Sequence, residues 1–250
     1  QFGSDKPDLR NPLRIMDVTD FFQRCTFKPF LKRTVRAIRV HADMSKGFHE
    51  KLLKFATSIG MGGLGYLEVM EDKSYKGPID KFIPDDMKQE FAELTGLEVG
   101  DTIFFIADKE ERANLFAGQL RNELGERLDL IEKNAFRFCF VNDFPMYEYN
   151  KDEKKMDFTH NPFSMPQGGL EALNTMNPED ILAYQYDIVC NGVELSSGAV
   201  RNHDLDIMVK AFEIAGYSEE NLKTKFGALY NASARRYGPW YRPNDHAAEK

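Results

Sequence analysis

Asp187 and Glu194 flank the dipeptide Asn191-Gly192, which between two apolar strands signals a two-residue hairpin turn. With that turn Cys190 faces Val193, Val189 faces Glu194, and Asp187 faces Ser196. The two acids then share a sheet face as diagonal neighbours, close enough to hold one bound group. Carboxylates that close repel each other unless a cation or a polar ligand lies between them. A solvated sheet face carrying two tolerated acids fits the same spacing. Arg201 follows on the second strand, and strict alternation points it away from Glu194. A bulge at Ser196-Ser197-Gly198-Ala199 would bring it back beside Glu194, and glycine is a residue that bulges recruit. There its guanidinium could clamp a carboxylate through two hydrogen bonds; the plainer reading is a surface arginine. His160, ahead of Asn161-Pro162 on a rigid loop, can donate to an anionic ligand, although a lone loop histidine is more often structural. No nucleophile–base pair stands out, and neither a Walker nor a dinucleotide fingerprint is present.

The elements that must position these residues fall into two textures. From Leu13 to about Leu130 short helical and strand patterns alternate. Residues 34–40 and 64–70 read as strands, and 102–107 reads as a buried one. Ser45 caps a helix with Phe48, Leu52, Phe55 and Ile59 at helical spacing, and Gly60 ends it. Asp85 is expected to cap a second helix bearing Met87, Phe91 and Leu94, closed by Gly96. Asp108 is expected to open a third, with Phe116, Leu120, Leu124 and Leu128 at four-residue steps. Met61-Gly62-Gly63 follows a helix rather than a strand, so it reads as a plain turn and not as a phosphate loop. From Ala135 the pattern becomes aromatic and strand-like, with a charged loop at Lys151–Lys155 and a proline-rich stretch from Thr159 to Pro166. The Asn-Gly hairpin follows. Two helices close this part, one from about Asp204 to Ala215 and one capped by Ser218 with Leu222, Phe226 and Leu229.

Charge and composition narrow the function classes. Lys and Arg total 33 against 40 Asp and Glu, a net charge of −7, which argues against binding nucleic acid by bulk charge. No run approaches the roughly 18 apolar residues of a membrane span. The three cysteines, Cys25, Cys139 and Cys190, lie far apart and read as reduced thiols of a cytoplasmic protein rather than a zinc site or a disulfide framework.

Several strings together resemble the bacterial aspartyl-tRNA synthetases. They are Gly3–Arg10, Asp143-Phe144-Pro145-Met146, His160-Asn161-Pro162-Phe163-Ser164, and Tyr186 to Glu194 with Arg201-Asn202-His203. Phe226–Ala232 resembles the helix that leads into the family's third class II motif. The resemblance implies an α+β chain: a GAD-like α/β insertion domain within a partial class II catalytic domain built on an antiparallel sheet. It divides the chain into a catalytic-domain segment (1–12), the GAD-like insertion (13–130), the catalytic-domain return (131–232) and an aberrant tail (233–250).

The implied activity is activation of aspartate with ATP and Mg²⁺ and transfer of the aspartyl group to tRNA(Asp), with tRNA(Asn) left open. A homodimer is implied for the full-length enzyme. By position His160 and Arg201 would bind aspartate, Arg201 on its side-chain carboxylate. Glu194 would sit at the ATP–Mg²⁺ site, with Asp187 as a second acid on the metal. The family often has three glycines where this chain reads Ser196-Ser197-Gly198. The first two class II motifs would precede Gln1, so this chain alone is expected to be incomplete and inactive. A non-catalytic tRNA- or partner-binding module built on the GAD-like domain is the alternative, but it would not need Ala135–Ala232. The tail from Ser233 is expected to be the third motif in a shifted frame. Codons can be chosen for Arg235 to Ala248 so that dropping one base gives Gly-Gly-Met-Ala-Leu-Gly-Ile-Asp-Arg-Met-Thr-Met-Leu-Leu. Trp240 and Tyr241 should then lie in loosely packed chain.

Overall fold

The computed structural model describes residues 1–42 and 44–236; for Lys46 and residues 232–236 it describes the backbone alone. Trp240 and Tyr241 lie outside the described residues. The chain divides into two units, one formed by 1–138 with 190–193 and the other by 139–189 with 194–250.

The first unit contains, in order, β1 (Ile15–Asp17), α1 (Thr19–Gln23), β2 (Thr34–His41), α2 (Lys46–Ser58), β3 (Gly65–Val69), β4 (Tyr75–Lys76), α3 (Lys88–Thr95), β5 (Asp101–Asp108) and α4 (Glu110–Arg127). Its sheet runs β1-β2-β5-β3-β4, with every neighbouring pair antiparallel. The alternating sequence pattern allows an α+β or an α/β unit. Here β2 and β3 do run parallel to one another, but β5 is inserted antiparallel between them, a split crossover. The sheet is therefore antiparallel throughout: of the α+β and α/β arrangements that the alternating pattern allows, the unit is α+β, and the α/β description implied by the resemblance does not hold for it.

Both faces of the sheet are covered, which is why 102–107 is apolar without alternation. Val35, Ala37, Ile103 and Phe105 meet Phe21 and Phe22 of α1 and Phe91 of α3. Ile38, Val40, Phe104 and Ile106 meet Leu52 of α2 and Phe116, Leu120 and Leu124 of α4. Ser45 caps α2 as its sequence predicts, its hydroxyl accepting from Phe48 N–H. Two other caps differ. Residues Asp85–Met87 form a 3₁₀ turn, so α3 starts two residues late, with Met87 as its cap. Lys109, not Asp108, precedes α4, because Asp108 still pairs in β5 and its carboxylate accepts from Lys109 N–H and meets Arg112 at 3.1 Å.

The first twelve residues, which the resemblance places with the catalytic domain, pack in this unit. The anchor is Arg121 of α4, 1 % exposed. Its Nε donates to Leu13 C=O at 2.8 Å, and its Nη2 donates to Asp8 and Asn11 C=O at 2.9 and 2.7 Å. Asn11 answers by donating to Arg121 C=O at 2.9 Å. Glycines make the close approach feasible. A Cβ on Gly118 would lie 2.4 Å from Gly3 C=O, and one on Gly125 would lie 2.3 Å from the Asn11 amide. Burial and nearby Arg14 bring the Arg121 pKa down to about 10, against a smaller opposing pull from Asp8.

The second unit holds β6 (Phe138–Pro145), which begins at the boundary, β7 (Tyr147–Asn150), β8 (Lys155–Phe158), α5 (Gly169–Thr175), β9 (Leu182–Cys190), β10 (Val193–Ala199), α6 (Leu205–Ile214) and α7 (Glu219–Arg236). The sheet order is β10-β9-β6, and β7 and β8 pair separately about the charged stretch at 151–154. The core joins Met146, Tyr147, Ile181 and Ala183 to Leu173 of α5 and Ala211 of α6, with Met208, Phe212 and Leu222 as a second cluster. Tyr147 donates its hydroxyl to Ala211 C=O at 3.0 Å, and burial pushes its phenol pKa up. Helix α7 is non-helical at Phe226 and continues to Arg236, four residues into the stretch that reads as aperiodic. The cysteines are free thiols. Among the described residues no helix is long and apolar enough to cross a membrane.

Replacing Arg121 by Ala would remove three charge-assisted hydrogen bonds to backbone carbonyls and leave a cavity beside α4. We expect a loss of about 3 kcal/mol in the first unit, measured by urea denaturation. A loss below about 1 kcal/mol would show that the N-terminal segment is held by something else.

Candidate functional site

The hairpin turn forms as its dipeptide predicts, with Asn191 at φ 53° and Gly192 at φ 82°. Both residues are left-handed, as a two-residue turn matching strand twist requires. Asn191 is fixed by its own side chain, which accepts from Arg137 N–H at 3.0 Å and donates to Ala135 C=O at 2.9 Å. Strand β9 ends at Cys190 and β10 starts at Val193, so Glu194 stands opposite Val189 and on the side of Asp187.

Beyond the turn the register slips by one residue. Regular pairing would set Ala199 against Tyr184, yet Val200 N–H donates to Tyr184 C=O at 2.8 Å. The slip has already occurred by Gly198. A Cβ there would lie 2.6 Å from the Tyr186 ring, on the face away from Asp187, where regular pairing would point it towards Asp187's side. A bulge between Glu194 and Gly198 accounts for both observations.

Where β10 ends, the segment Ser164–Pro166 enters beside β9. Met165 N–H donates to Val200 C=O at 2.8 Å and its carbonyl accepts from Tyr184 N–H at 2.9 Å. Ser164 pairs with Arg201, and Pro166 with Ala183. Paired residues share a face, so Arg201 lies on the side of Ser164. The Ser164 hydroxyl in turn accepts from the Gln185 amide at 2.7 Å. Gln185 and Asp187 are two residues apart on β9, so Asp187, Glu194 and Arg201 occupy one face of the sheet.

The environments of the four expected site residues differ. Asp187 is 8 % exposed, and among the described residues no donor or cation meets its carboxylate. Glu194 and Arg201 are exposed. His160 is exposed too, its ring edge-on to Phe144 at 5.0 Å. It lies one residue before Asn161, whose carbonyl accepts from Gln185 at 3.1 Å and from the Ser164 hydroxyl at 2.9 Å. Sequence reasoning missed the residues that brace this face: Gln185, Ser164 and Asn202, all buried. It also missed Asp143, at φ 60°, whose carboxylate accepts from the Gln167 side chain. The available signal was a polar Gln185 alternating in phase with Asp187 on β9.

The family model for tRNA synthetases class II (D, K and N) matches residues 1–239. The chain belongs to this class II synthetase family. The aspartate–tRNA(Asp/Asn) ligase of Ehrlichia chaffeensis is 52 % identical over 238 residues, covering 92 % of this chain and 40 % of that protein. The ligase of the same name from Gluconobacter oxydans is 53 % identical over 244 residues, or 95 % of this chain and 40 % of its own length. The one from Rickettsia felis is 49 % identical over 243 residues, 93 % of this chain and 40 % of its own. The chain thus spans about 40 % of the length of these relatives. In this class II chain the face carrying Asp187, Glu194 and Arg201 is preformed by backbone pairing and by one buried amide.

Replacing Gln185 with Leu removes the tie between β9 and the 161–166 segment while conserving volume. The expected cost is about 1–3 kcal/mol in chemical denaturation, with faster amide exchange at Ser164 and Met165 than in α6. Unchanged exchange at those two amides would remove Gln185 from its bracing role.

Proposed function

We propose that this chain is part of an aspartate–tRNA ligase and carries the face on which aspartate and ATP meet. The observation that supports this most directly is the placement of Asp187, Glu194 and Arg201 on one face of the sheet, with no donor or cation on the Asp187 carboxylate among the described residues. Two carboxylates that share a face repel each other alone and become favourable once a cation joins them. Arg201 would grip the side-chain carboxylate of aspartate through its planar fork, and His160 would contact the same substrate from the 159–166 loop. Glu194 would face ATP.

Asp187 and Glu194 suit Mg²⁺ as a donor pair of hard oxygens. Among the described residues no group of three or more His, Cys, Asp or Glu side chains could hold a metal ion, and Mg²⁺ is usually bound by one or two carboxylates together with substrate phosphates. The ion would supply neutralisation of phosphate charge. In the first step an α-carboxylate oxygen of aspartate displaces pyrophosphate from the α-phosphorus of ATP. In the second, a terminal hydroxyl of tRNA takes the aspartyl group and AMP leaves. The chain's own contribution is to hold the carboxylate in line and to match charge as it develops. No enzyme-bound covalent intermediate is needed. The first unit, by position, would be the GAD-like insertion of the bacterial enzymes. The names of the relatives favour tRNA(Asp) and tRNA(Asn) as acceptors; a homodimer working in the cytoplasm belongs to the same proposed reading.

A chimera tests this reading. Residues 1–231 replace the matching segment of the Gluconobacter ligase, and aspartate-dependent ATP–pyrophosphate exchange is measured. Exchange is expected to persist. Arg201→Leu in the chimera should weaken aspartate use by about 2–5 kcal/mol, the cost of a charge left without its bidentate partner, with KM for ATP little changed. Exchange that ignores the Arg201 substitution would refute the assignment.

A further inference from the structure

The first unit holds a cavity of about 620 Å³ that the ligase reading does not use. Its walls are aromatic and aliphatic, including Phe27, Phe30, Phe82 and Ile79, and its rim carries Arg33 and Lys81. Phe27 and Phe82 are half-buried and lie against each other, ring centroids 4.2 Å apart. Both rim cations are exposed. Arg33 touches only Ala107 C=O, at 3.4 Å, and Lys81 lies 5.1 Å from the Phe82 ring centroid. Among the described residues neither meets a carboxylate within salt-bridge distance. The one acid in the lining, Asp108, is already paired with Arg112 at 3.1 Å.

Gly62 and Gly63, also in the lining, supply the second observation. Neither has a positive φ, and a Cβ at either would meet nothing within 4 Å. Backbone conformation and packing therefore both permit a side chain at these positions, at a gain in chain entropy. Both belong to the cavity's lining, so a long side chain there would compete with a ligand for space at its edge. The turn between α2 and β3 thus leaves this edge of the cavity without side chains at two successive positions.

We propose that this cavity binds a nucleotide, its base packed on the Phe27–Phe82 pair and its phosphate between Arg33 and Lys81. The volume lies in the range of small-ligand sites, which are mostly apolar with a few placed polar groups. Aromatic rings accept any base through stacking, and flanking cations match the phosphate. A fatty anion would match the charge but gain nothing from ring faces. The same chemistry serves a free nucleotide or an unpaired nucleotide of RNA. The proposal rests on the first unit alone and stands apart from the ligase reading.

Titration calorimetry of the 250-residue chain with AMP, a tetra-adenylate and octanoate tests it, with hydrogen exchange to locate the bound ligand. AMP is expected to bind and to protect amides in 61–65 and 79–83. Gly63→Leu should weaken binding at least about tenfold while its melting temperature stays at or above that of the parent. Lys81→Gln, an exposed substitution that leaves packing intact, should weaken binding about fivefold and reduce its salt dependence. Tetra-adenylate binding tenfold tighter than AMP would identify RNA as the source, and equal affinities a free nucleotide. The proposal is overturned if AMP fails to bind, if it protects only amides of the second unit, if both variants bind as the parent does, or if octanoate binds as well as AMP.

Discussion

A guanidinium held by backbone carbonyls organises the first unit. Arg121 sits 1 % exposed in α4 and reaches back across more than 100 residues to the carbonyls of Asp8, Asn11 and Leu13. Carbonyl oxygens are the acceptors a planar fork can saturate where there is no room for a carboxylate. Removing the charge from water is expensive, and three charge-assisted bonds offset it only if the acceptors cannot drift. They cannot, because Asn11 bonds back to Arg121 C=O and glycines at 118 and 125 bring the two backbones together. The consequence is that β1, which follows directly on Leu13, is delivered to the edge of β2 in register, and the sheet between the helix layers inherits its alignment.

In the second unit the decisive constraint is a single extra residue in β10. Side chains on a strand alternate with period two, so an even separation such as 194 to 196 shares a face and the odd separation from 194 to 201 does not. The bulge converts the second case into the first. It needs Gly198 because the Tyr186 ring occupies the place a side chain would take. It also ends regular pairing, so that Ser164–Pro166 can enter beside β9 and bring the loop bearing His160 to the same region of the unit. One irregularity thus does two things: it aligns Arg201 with the acids, and it seats the loop.

The sequence was legible where local chemistry and tertiary packing agree. The Asn191-Gly192 turn, the Ser45 cap and the apolar periodicity of α2 and α4 each have one physical solution, and each formed. Alternation of helix and strand left α+β and α/β both open because it says nothing about where β5 inserts, and that choice is made by long-range pairing. Asp85 and Asp108 read as caps because acids favour helix starts, but a 3₁₀ turn and a strand extension absorbed them. In β9 the polarity ran opposite to habit. Tyr184 and Tyr186 are exposed while Gln185 and Asp187 are buried. Aromatic-in, polar-out would have assigned that strand's faces the wrong way round, and only the shared phase of Gln185 and Asp187 pointed correctly.

That inverted strand explains how the two polar groups are tolerated. Gln185 satisfies its buried amide through Ser164 and Asn161, so its desolvation is largely recovered within the protein. Asp187, two residues along the same face, has no such partner among the described residues. Gln185 shows that this strand can tie a buried amide to the segment entering beside it. The Asp187 carboxylate lies instead on the side that Glu194 and Arg201 share, where a cation would meet both acids. On the proposed reading, a cation or charged substrate bound there would relieve the repulsion between the two acids and so couple binding to the stability of this face.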